Sequence, residues 1–319
     1  MLVLSEEEVQ RRLSLDEVMA SLEEMFSRDY TKTAQMPVRT HMQAFAGSTC
    51  LVMPCSDSAL PGACVKVVTV RHGPVRRGSE LNRDRVQADC FLLEPVSGKV
   101  CAVIAANYLT EARTASASAI ATKALARADA RTLGIFGTGR QALAHLLLLR
   151  RDRRFERFLV CGSSQPRSEN FAQSVATYHG LHVEPVDSAT CAQDSDVVCT
   201  CTNARTPIFD GSLIREGTHL NLVGGFQPDA REVDDFVVAR ARIVVDSYAG
   251  ALSEAGDLLI PLAQGVITNL RIVADLHEIV SGKVEGRRNS RDITLFKSVG
   301  FALEDLVVAT LVYNRVLAE

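Results

Sequence analysis

Two cationic side chains stand in surroundings that demand a chemical reason. Lys66 interrupts Gly62-Ala63-Cys64-Val65-Lys66-Val67-Val68-Thr69-Val70, a run otherwise patterned as a buried strand. An ammonium there is costly to bury unpaired, so Lys66 either faces solvent or serves a site. Arg113 lies near the start of the Ala-rich stretch Leu109 to Ala128, whose composition favours a helix with small, closely packing side chains. A guanidinium is a planar fork that can hold a carboxylate through two hydrogen bonds. Taken alone, Arg113 reads as a surface arginine on that helix.

A third feature carries a cofactor reading. Leu133, Ile135 and Phe136 form a short apolar run that leads into Gly137-Thr138-Gly139-Arg140-Gln141-Ala142, and Leu143 to Leu149 follow as a helix. Strand, GxGxxA turn and helix make up the dinucleotide-binding fingerprint in its required context. Gly137 permits the tight turn, Gly139 lets backbone approach a pyrophosphate, and Ala142 allows helix and strand to pack closely. The helix N-terminus then offers N–H groups and a positive dipole end to the phosphates.

The next strand, Arg157 to Cys161, runs into Gly162-Ser163-Ser164-Gln165-Pro166-Arg167. An enzyme built for NAD commonly places a carboxylate here to bind the ribose hydroxyls. None is present. Ser163, Ser164 and Arg167 suit a 2′-phosphate instead, which tilts the cofactor to NADP(H), with NAD(H) possible. Ser164 as a helix N-cap and Pro166 in the first turn are compatible with that role.

The elements that must position these residues follow from pattern. Ser5 with Glu8 and Ser14 with Glu17 fit capping boxes, so residues 1 to 30 read as two helices. Met36-Pro37-Val38-Arg39 is extended around its proline. Strands are expected at Leu51 to Pro54, Gly62 to Val70, Val86 to Leu93 and Lys99 to Ala105, with a charged exposed loop over 71–85. Beyond the fingerprint, a helix stops at Gly180. Strands then recur at Leu181 to Val186, Asp196 to Thr200, Thr218 to Val223 and Arg242 to Asp246. Strands separated by helices make a parallel, doubly wound sheet. Thr200, Thr202 and the loop after Val223 fall at its carboxyl edge, where a cofactor lies. Phe296 to Leu317 is apolar at helical spacing and is expected to close the chain onto its first domain. The fold class is α/β: a doubly wound Rossmann domain over 115–298, and a second α/β domain over 1–114 completed by a C-terminal helix over 299–319.

Composition narrows the function. At 319 residues the chain is long enough for two domains, and its net charge of -3, without a basic tract, argues against nucleic acid. No apolar run approaches the ~20 residues that span a bilayer, and no signal peptide is visible, which points to the cytoplasm without membrane partners. The nine cysteines are odd in number and sit mostly in apolar runs, as reduced core residues do. Cys199 and Cys201 lack metal-site spacing, so no metal is expected.

Pro37-Val38-Arg39, the Lys66 strand, LTEARTASASA from Leu109, GTGRQA from Gly137, GTHLNLVGG from Gly217 and TLFKSVGFALEDL from Thr294 occur here in one order. Together they resemble the ornithine cyclodeaminase/mu-crystallin family over nearly the whole chain. The resemblance implies that Arg39, Lys66 and Arg113 hold a substrate α-carboxylate. It implies cofactor contacts at Thr114, Gly137 to Ala142, Thr200, Thr202 and the loop after Val223, with Lys297 and Ser298 near the nicotinamide. It also implies a homodimer formed through the substrate domain.

One departure bears on the reaction. Cyclodeaminases of this family carry Asp where this chain has Phe226, in GGFQPDAREVD. Phe neither accepts nor donates a proton and offers an apolar wall. The expected reaction is therefore NAD(P)H-dependent reduction of a cyclic ketimine carboxylate, Δ1-pyrroline-2-carboxylate or Δ1-piperideine-2-carboxylate, to proline or pipecolate. Three alternatives stay open: an ornithine or lysine cyclodeaminase with bound NAD, a dehydrogenase making alanine or N-substituted amino acids, and a non-enzymatic NADPH-binding protein like the mu-crystallins.

Overall fold

Burial alternates along the strand that carries Lys66: Cys64, Lys66 and Val68 are buried, whereas Val65 and Val67 are half-buried. That period of two marks a sheet with one sealed face. The computed structural model describes residues 1–44, 47–60, 62–71 and 86–319. The expected charged loop over 71–85 lies outside the described residues apart from Arg71. The chain divides into unit 1, Met1–Arg113 with Phe301–Glu319, and unit 2, Thr114–Gly300.

Unit 1 contains β1 (Leu2–Leu4), α1 (Glu6–Arg12), α2 (Leu15–Ser27), β2 (Ala34–Gln35), β3 (Thr40–Gln43), β4 (Ser48–Asp57), β5 (Ala63–Arg71), β6 (Val86–Leu93) and β7 (Val100–Ala105). Helix α3 (Asn107–Leu125) begins here and continues into unit 2. The sheet runs β1-β7-β6-β5-β4-β2, with β3 also paired to β4. Among the described residues of this sheet, only β1 and β7 pair in parallel. The C-terminal helix of the chain, Ala302–Ala318, lies across β4, β5 and β6. Phe26, Tyr30 and Phe301 join this core, with the Tyr30 and Phe301 rings stacked at 5.7 Å. Burying each such side chain contributes roughly 1.5–3 kcal/mol. On the other face Val52, Pro54, Val65, Val67, Phe91 and Val103 stay half-buried.

Unit 2 continues with β8 (Thr132–Phe136), α4 (Arg140–Asp152), β9 (Arg157–Cys161), α5 (Gln165–His179), β10 (Glu184–Pro185), α6 (Ser188–Asp194), β11 (Val197–Thr200) and β12 (His219–Leu222). It ends with α7 (Asp235–Arg240), β13 (Arg242–Val245), α8 (Tyr248–Glu254), α9 (Gly256–Ala263), β14 (Ile272–Asp275), α10 (Leu276–Val280) and β15 (Thr294–Lys297), before the C-terminal helix, α11. All its strand pairs are parallel, in the order β10-β9-β8-β11-β12-β15-β13-β14. The doubly wound sheet expected from the sequence is therefore present. Strand order reverses at β8 and β11, and a ligand crevice opens at the carboxyl ends of strands at such a switch point.

Several local expectations need correction. Leu2–Leu4 is a strand, not helix, because three apolar residues add an edge to β7. Ser5 and Glu8 form the expected capping box, but Ser14 caps α2 without a side-chain hydrogen bond. The strand expected over Leu181 to Val186 shrinks to Glu184–Pro185, on the sheet edge where Pro185 has no N–H to donate. Phe296 belongs to β15, and the helix starts only at Ala302. An apolar run alone does not separate a buried strand from a buried helix. Among the described residues, no helix is long and apolar enough to cross a membrane.

Candidate functional site

In unit 1, Lys66 is carried on the sealed face of β5, beneath α11. Its Nζ donates to Asp305 Oδ1 at 2.6 Å and to Thr110 Oγ1 at 3.4 Å. Arg113, one turn along α3 from Thr110, donates from Nε to the same Asp305 oxygen at 3.1 Å and from Nη1 to Glu304 Oε2 at 2.8 Å. The structure thus brings Lys66 and Arg113 onto one carboxylate. Their side chains are 1% and 6% exposed, so the carboxylates, not water, solvate them. The surface reading of Arg113 and the solvated reading of Lys66 are both excluded. Burial lowers the Lys66 pKa to about 8; the charge of Arg113 pushes the same way, and Asp305 opposes both.

Sequence pattern alone does not single out Glu304 and Asp305, although they lie within the TLFKSVGFALEDL motif. The signal was available: adjacent carboxylates interrupt an otherwise apolar helix start, and buried anions require cations. Both also stand in the first turn of α11, where the helix dipole favours negative charge. Asp305 Oδ2 is buried with no hydrogen-bond partner among the described residues. Arg39 lies half-buried in the extended stretch before β3, and Thr114 is buried on α3 directly after Arg113.

In unit 2 the fingerprint turn joins β8 to α4. Gly137 has φ +112°, and a Cβ there would lie 2.5 Å from the Cys201 carbonyl oxygen. Backbone crowding between the ends of β8 and β11 thus requires glycine. Gly139 differs: a Cβ would meet nothing within 4 Å. Among the described residues, none fills that space. Gly139 is the N-cap of α4 and, lacking a side chain, gives no side-chain cap. Thr138, Arg140 and Gln141 are half-buried around this turn, and Ala142 is fully buried against the sheet. Ser163, Ser164 and Arg167 are exposed past the carboxyl end of β9. Ser164 is the N-cap of α5 but makes no side-chain capping bond.

Thr200, Thr202, Lys297 and Ser298, all expected at the cofactor, turn their polar atoms onto buried carboxylates, as does the backbone N–H of Gly224. Thr200 Oγ1 donates to Glu232 Oε2 at 2.6 Å, and Thr202 donates from N and Oγ1 to Glu232 Oε1 at 2.8 and 2.6 Å. Gly224 N, in the loop after Val223, donates to Glu232 Oε2 at 2.9 Å. Burial raises the Glu232 pKa, with Asp257 adding to it and Lys297 opposing. Lys297 Nζ donates to Asp257 Oδ2 at 2.9 Å, while Asp257 Oδ1 accepts from the Glu232 and Val233 N–H groups at 2.6 and 3.2 Å. Ser298 Oγ donates to Asp246 Oδ2 at 3.1 Å, which also accepts from Val299 and Gly300 N–H. Three acids passed over in sequence, Asp246, Asp257 and Glu232 beyond its register, therefore fix the loops at the sheet's carboxyl edge. Phe226 and Val223 are half-buried beside them in sequence. Cys199 is fully buried with its sulfur accepting from Asn221 Nδ2 at 3.5 Å, and all nine cysteines are free thiols.

Comparison with known proteins matches residues 1–319 to the model of the ornithine cyclodeaminase/mu-crystallin family. A Δ1-pyrroline-2-carboxylate reductase of Bacillus cereus is 34% identical, over 100% of this chain and 98% of the relative. The structure of Thermococcus litoralis Δ1-pyrroline-2-carboxylate reductase in complex with NADH and L-proline superposes with a TM-score of 0.94 at 37% identity, covering 100% of this chain and 98% of that one. An archaeal alanine dehydrogenase dimer with bound NAD gives a TM-score of 0.91 at 30% identity, covering 100% and 96%. With motifs, fold and full-length matches in agreement, the chain belongs to the ornithine cyclodeaminase/mu-crystallin family.

Proposed function

We propose that this protein reduces a cyclic ketimine carboxylate, Δ1-pyrroline-2-carboxylate or its six-membered homologue, to the cyclic amino acid. The observation that carries the reading is the buried pairing of Lys66 and Arg113 on Asp305, in a chain matched end to end with pyrroline-2-carboxylate reductases. When bound, the reduced nicotinamide supplies a hydride to the C=N carbon. Arg113, Arg39 and Lys66 hold the substrate's carboxylate and so fix the position of that carbon. Two cations and two carboxylates leave the Lys66 cluster neutral when all are ionised. A protonated imine bearing a carboxylate is also neutral, so it enters without unbalancing buried charge. The proton already on the imine nitrogen stays there as the C=N bond becomes C–N.

Gly137 to Ala142 and the start of α4 cradle the pyrophosphate, and Thr114, Thr200, Thr202, Val223, Lys297 and Ser298 build the remaining cofactor wall. Ser163, Ser164 and Arg167, exposed beyond β9 without a neighbouring carboxylate, favour NADP(H) while admitting NAD(H). Phe226 gives the ring an apolar wall and removes the proton carrier that a cyclodeaminase needs. The half-buried apolar face of unit 1, centred on Val65, Val67 and Phe91, is covered by a second copy in a homodimer. Nine free thiols suit the reducing cytoplasm.

The test is a spectrophotometric panel. NADPH and NADH oxidation are followed with five- and six-membered ketimine carboxylates and with pyruvate plus ammonia or methylamine, and ornithine and lysine are assayed for ammonia. Rapid ketimine reduction without ammonia release is expected. Ammonia from ornithine without net nicotinamide turnover would overturn the reading in favour of a cyclodeaminase.

A further inference from the structure

Asp305 receives two cations on one oxygen, from elements distant in sequence: Lys66 on β5 and Arg113 on α3. Glu304, its neighbour on α11, takes a different nitrogen of Arg113. Without Asp305, the Lys66 ammonium would face the Arg113 guanidinium with the Thr110 hydroxyl, 3.4 Å away, as its remaining hydrogen-bond acceptor among the described residues. The pair on α11 therefore separates the two cations and fixes each one's direction.

We propose that Asp305 is a positioning residue for the reaction: it aims the Lys66 ammonium and balances its charge against Arg113, while Glu304 orients the guanidinium. The proposal deepens the ketimine-reductase reading and rests on it for the use made of Lys66. The ionisable groups around Lys66 are Asp305 and Glu304 on α11, Arg113 on α3, Cys90 on β6, Cys64 on β5 and Cys55 on β4. A hydrogen bond with Cys90, and then burial, hold the Cys64 thiol well above its ordinary value; burial does the same for Cys55, and Asp305 raises both further, so neither thiol supplies the compensating anion. Burial and Arg113 both favour neutral Lys66, and Asp305 opposes them. Removing that carboxylate charge at hydrogen-bond distance shifts an amine's midpoint down by about one pH unit or more.

Asp305→Asn tests this without relying on turnover. Lys66 is followed by ¹⁵Nζ NMR in lysine-labelled protein, assigned with Lys66→Arg. The parent midpoint is expected at about 8. Asp305→Asn lowers it by about one unit or more, and Glu304→Gln moves it less. The basic limb of the kcat/KM profile for ketimine reduction moves with the NMR midpoint. A Lys66 midpoint unchanged in folded Asp305→Asn protein overturns the proposal, whatever happens to the rate. If that variant does not fold, the parent decides: Asp305 ¹³Cγ must report the same midpoint as Lys66 ¹⁵Nζ, and discordant midpoints reject the coupling. If the parent reduces no ketimine, the functional reading fails while both titrations still judge Asp305.

Discussion

The Thr200 hydroxyl donates to Glu232 at 2.6 Å, tying the end of β11 to the segment that follows β12. Because Thr202 and Gly224 N–H converge on the same carboxylate, one buried side chain sets the shape of two loops at the switch point of the sheet. Glu232→Gln puts an amide NH₂ where one carboxylate oxygen accepts, against at least one N–H or O–H donor. An unsatisfied buried donor costs about 1–3 kcal/mol. The variant is expected to melt several degrees lower and to bind NADPH about tenfold more weakly, an affinity loss of roughly 1.4 kcal/mol. Fluorescence titration of NADPH measures it, and parental affinity in the variant would remove Glu232 from the cofactor loops.

Arg113 needs two substitutions because it is held by two carboxylates. Arg113→Ala leaves both buried anions short of a cation, which costs about 3–5 kcal/mol when a pair is broken. Arg113→Lys keeps the charge but loses the planar fork. Folded Arg113→Lys protein is expected to raise KM for the ketimine about tenfold or more, the equivalent of one charge-assisted hydrogen bond of about 1.5–3 kcal/mol. Its NADPH affinity should match the parent. Steady-state kinetics beside a cofactor titration separate the two, and an unchanged KM would refute the carboxylate anchor.

What the sequence reveals and what it hides divide by distance along the chain. Gly137 to Ala142, the Ser5–Glu8 capping box and the stop at Gly180 are legible because each is a local geometry with its own residue preferences. The Lys66–Asp305 pair joins residues 239 positions apart, so each half looks like an isolated charge in an apolar run. The insertion of β15 between β12 and β13 is hidden for the same reason: parallel register is fixed by packing, not by a turn. Family pattern implies a place near the nicotinamide for Lys297 and Ser298, yet their partners Asp257 and Asp246 emerge only when the strands are side by side.

The proposed cofactor preference makes the residues just beyond β9 the ones to test. Ser163 is exposed there, with no carboxylate in the stretch from Gly162 to Arg167. Ser163→Asp introduces the acceptor that ribose hydroxyls use and a charge that repels a 2′-phosphate. The ratio of kcat/KM for NADPH to that for NADH is expected to fall by about tenfold or more, roughly 1.4 kcal/mol of discrimination. Comparing the two cofactors with one ketimine measures it. A ratio that does not move places the 2′ group elsewhere.

Gly137→Ala tests the crowding between β8 and β11. The φ of +112° is strained for any L side chain, and the new methyl would press on the Cys201 carbonyl. Strain of this kind costs about 1–3 kcal/mol before any clash is counted. The expected result is a lower melting temperature together with lost NADPH binding, since relief of the clash would move the turn proposed to cradle the phosphates. Gly139→Ala is the informative partner: a methyl there meets nothing of the protein, so stability is kept while cofactor affinity falls. Loss of stability in Gly139→Ala without loss of affinity would contradict the cradle.

Acid sensitivity should come from the buried histidines of unit 2. His145 Nδ1 lies 2.8 Å from the Gln141 carbonyl and Nε2 lies 2.9 Å from Ser118 Oγ, an arrangement that a neutral ring satisfies, with Nδ1–H donating and Nε2 accepting. Burial lowers its pKa from 6.5 to about 4, against the Gln141 carbonyl, and burial with the Arg287 charge lowers His219 to about 3. Above pH 6.5 neither folded nor unfolded chain protonates these rings, and their contribution to stability is complete. As pH falls from 6.5 toward 4 the unfolded chain binds protons that the folded chain refuses, so stability drops by up to about 1.4 kcal/mol per pH unit for each ring. Below its folded-state pKa a ring adds no further loss. Urea midpoints measured between pH 7 and 4.5 should therefore decline, and His145→Gln, which no longer titrates, should decline less steeply than the parent. Equal slopes would mean that the folded His145 ring takes up its proton over the same pH range as the unfolded one, so that burial does not hold it neutral.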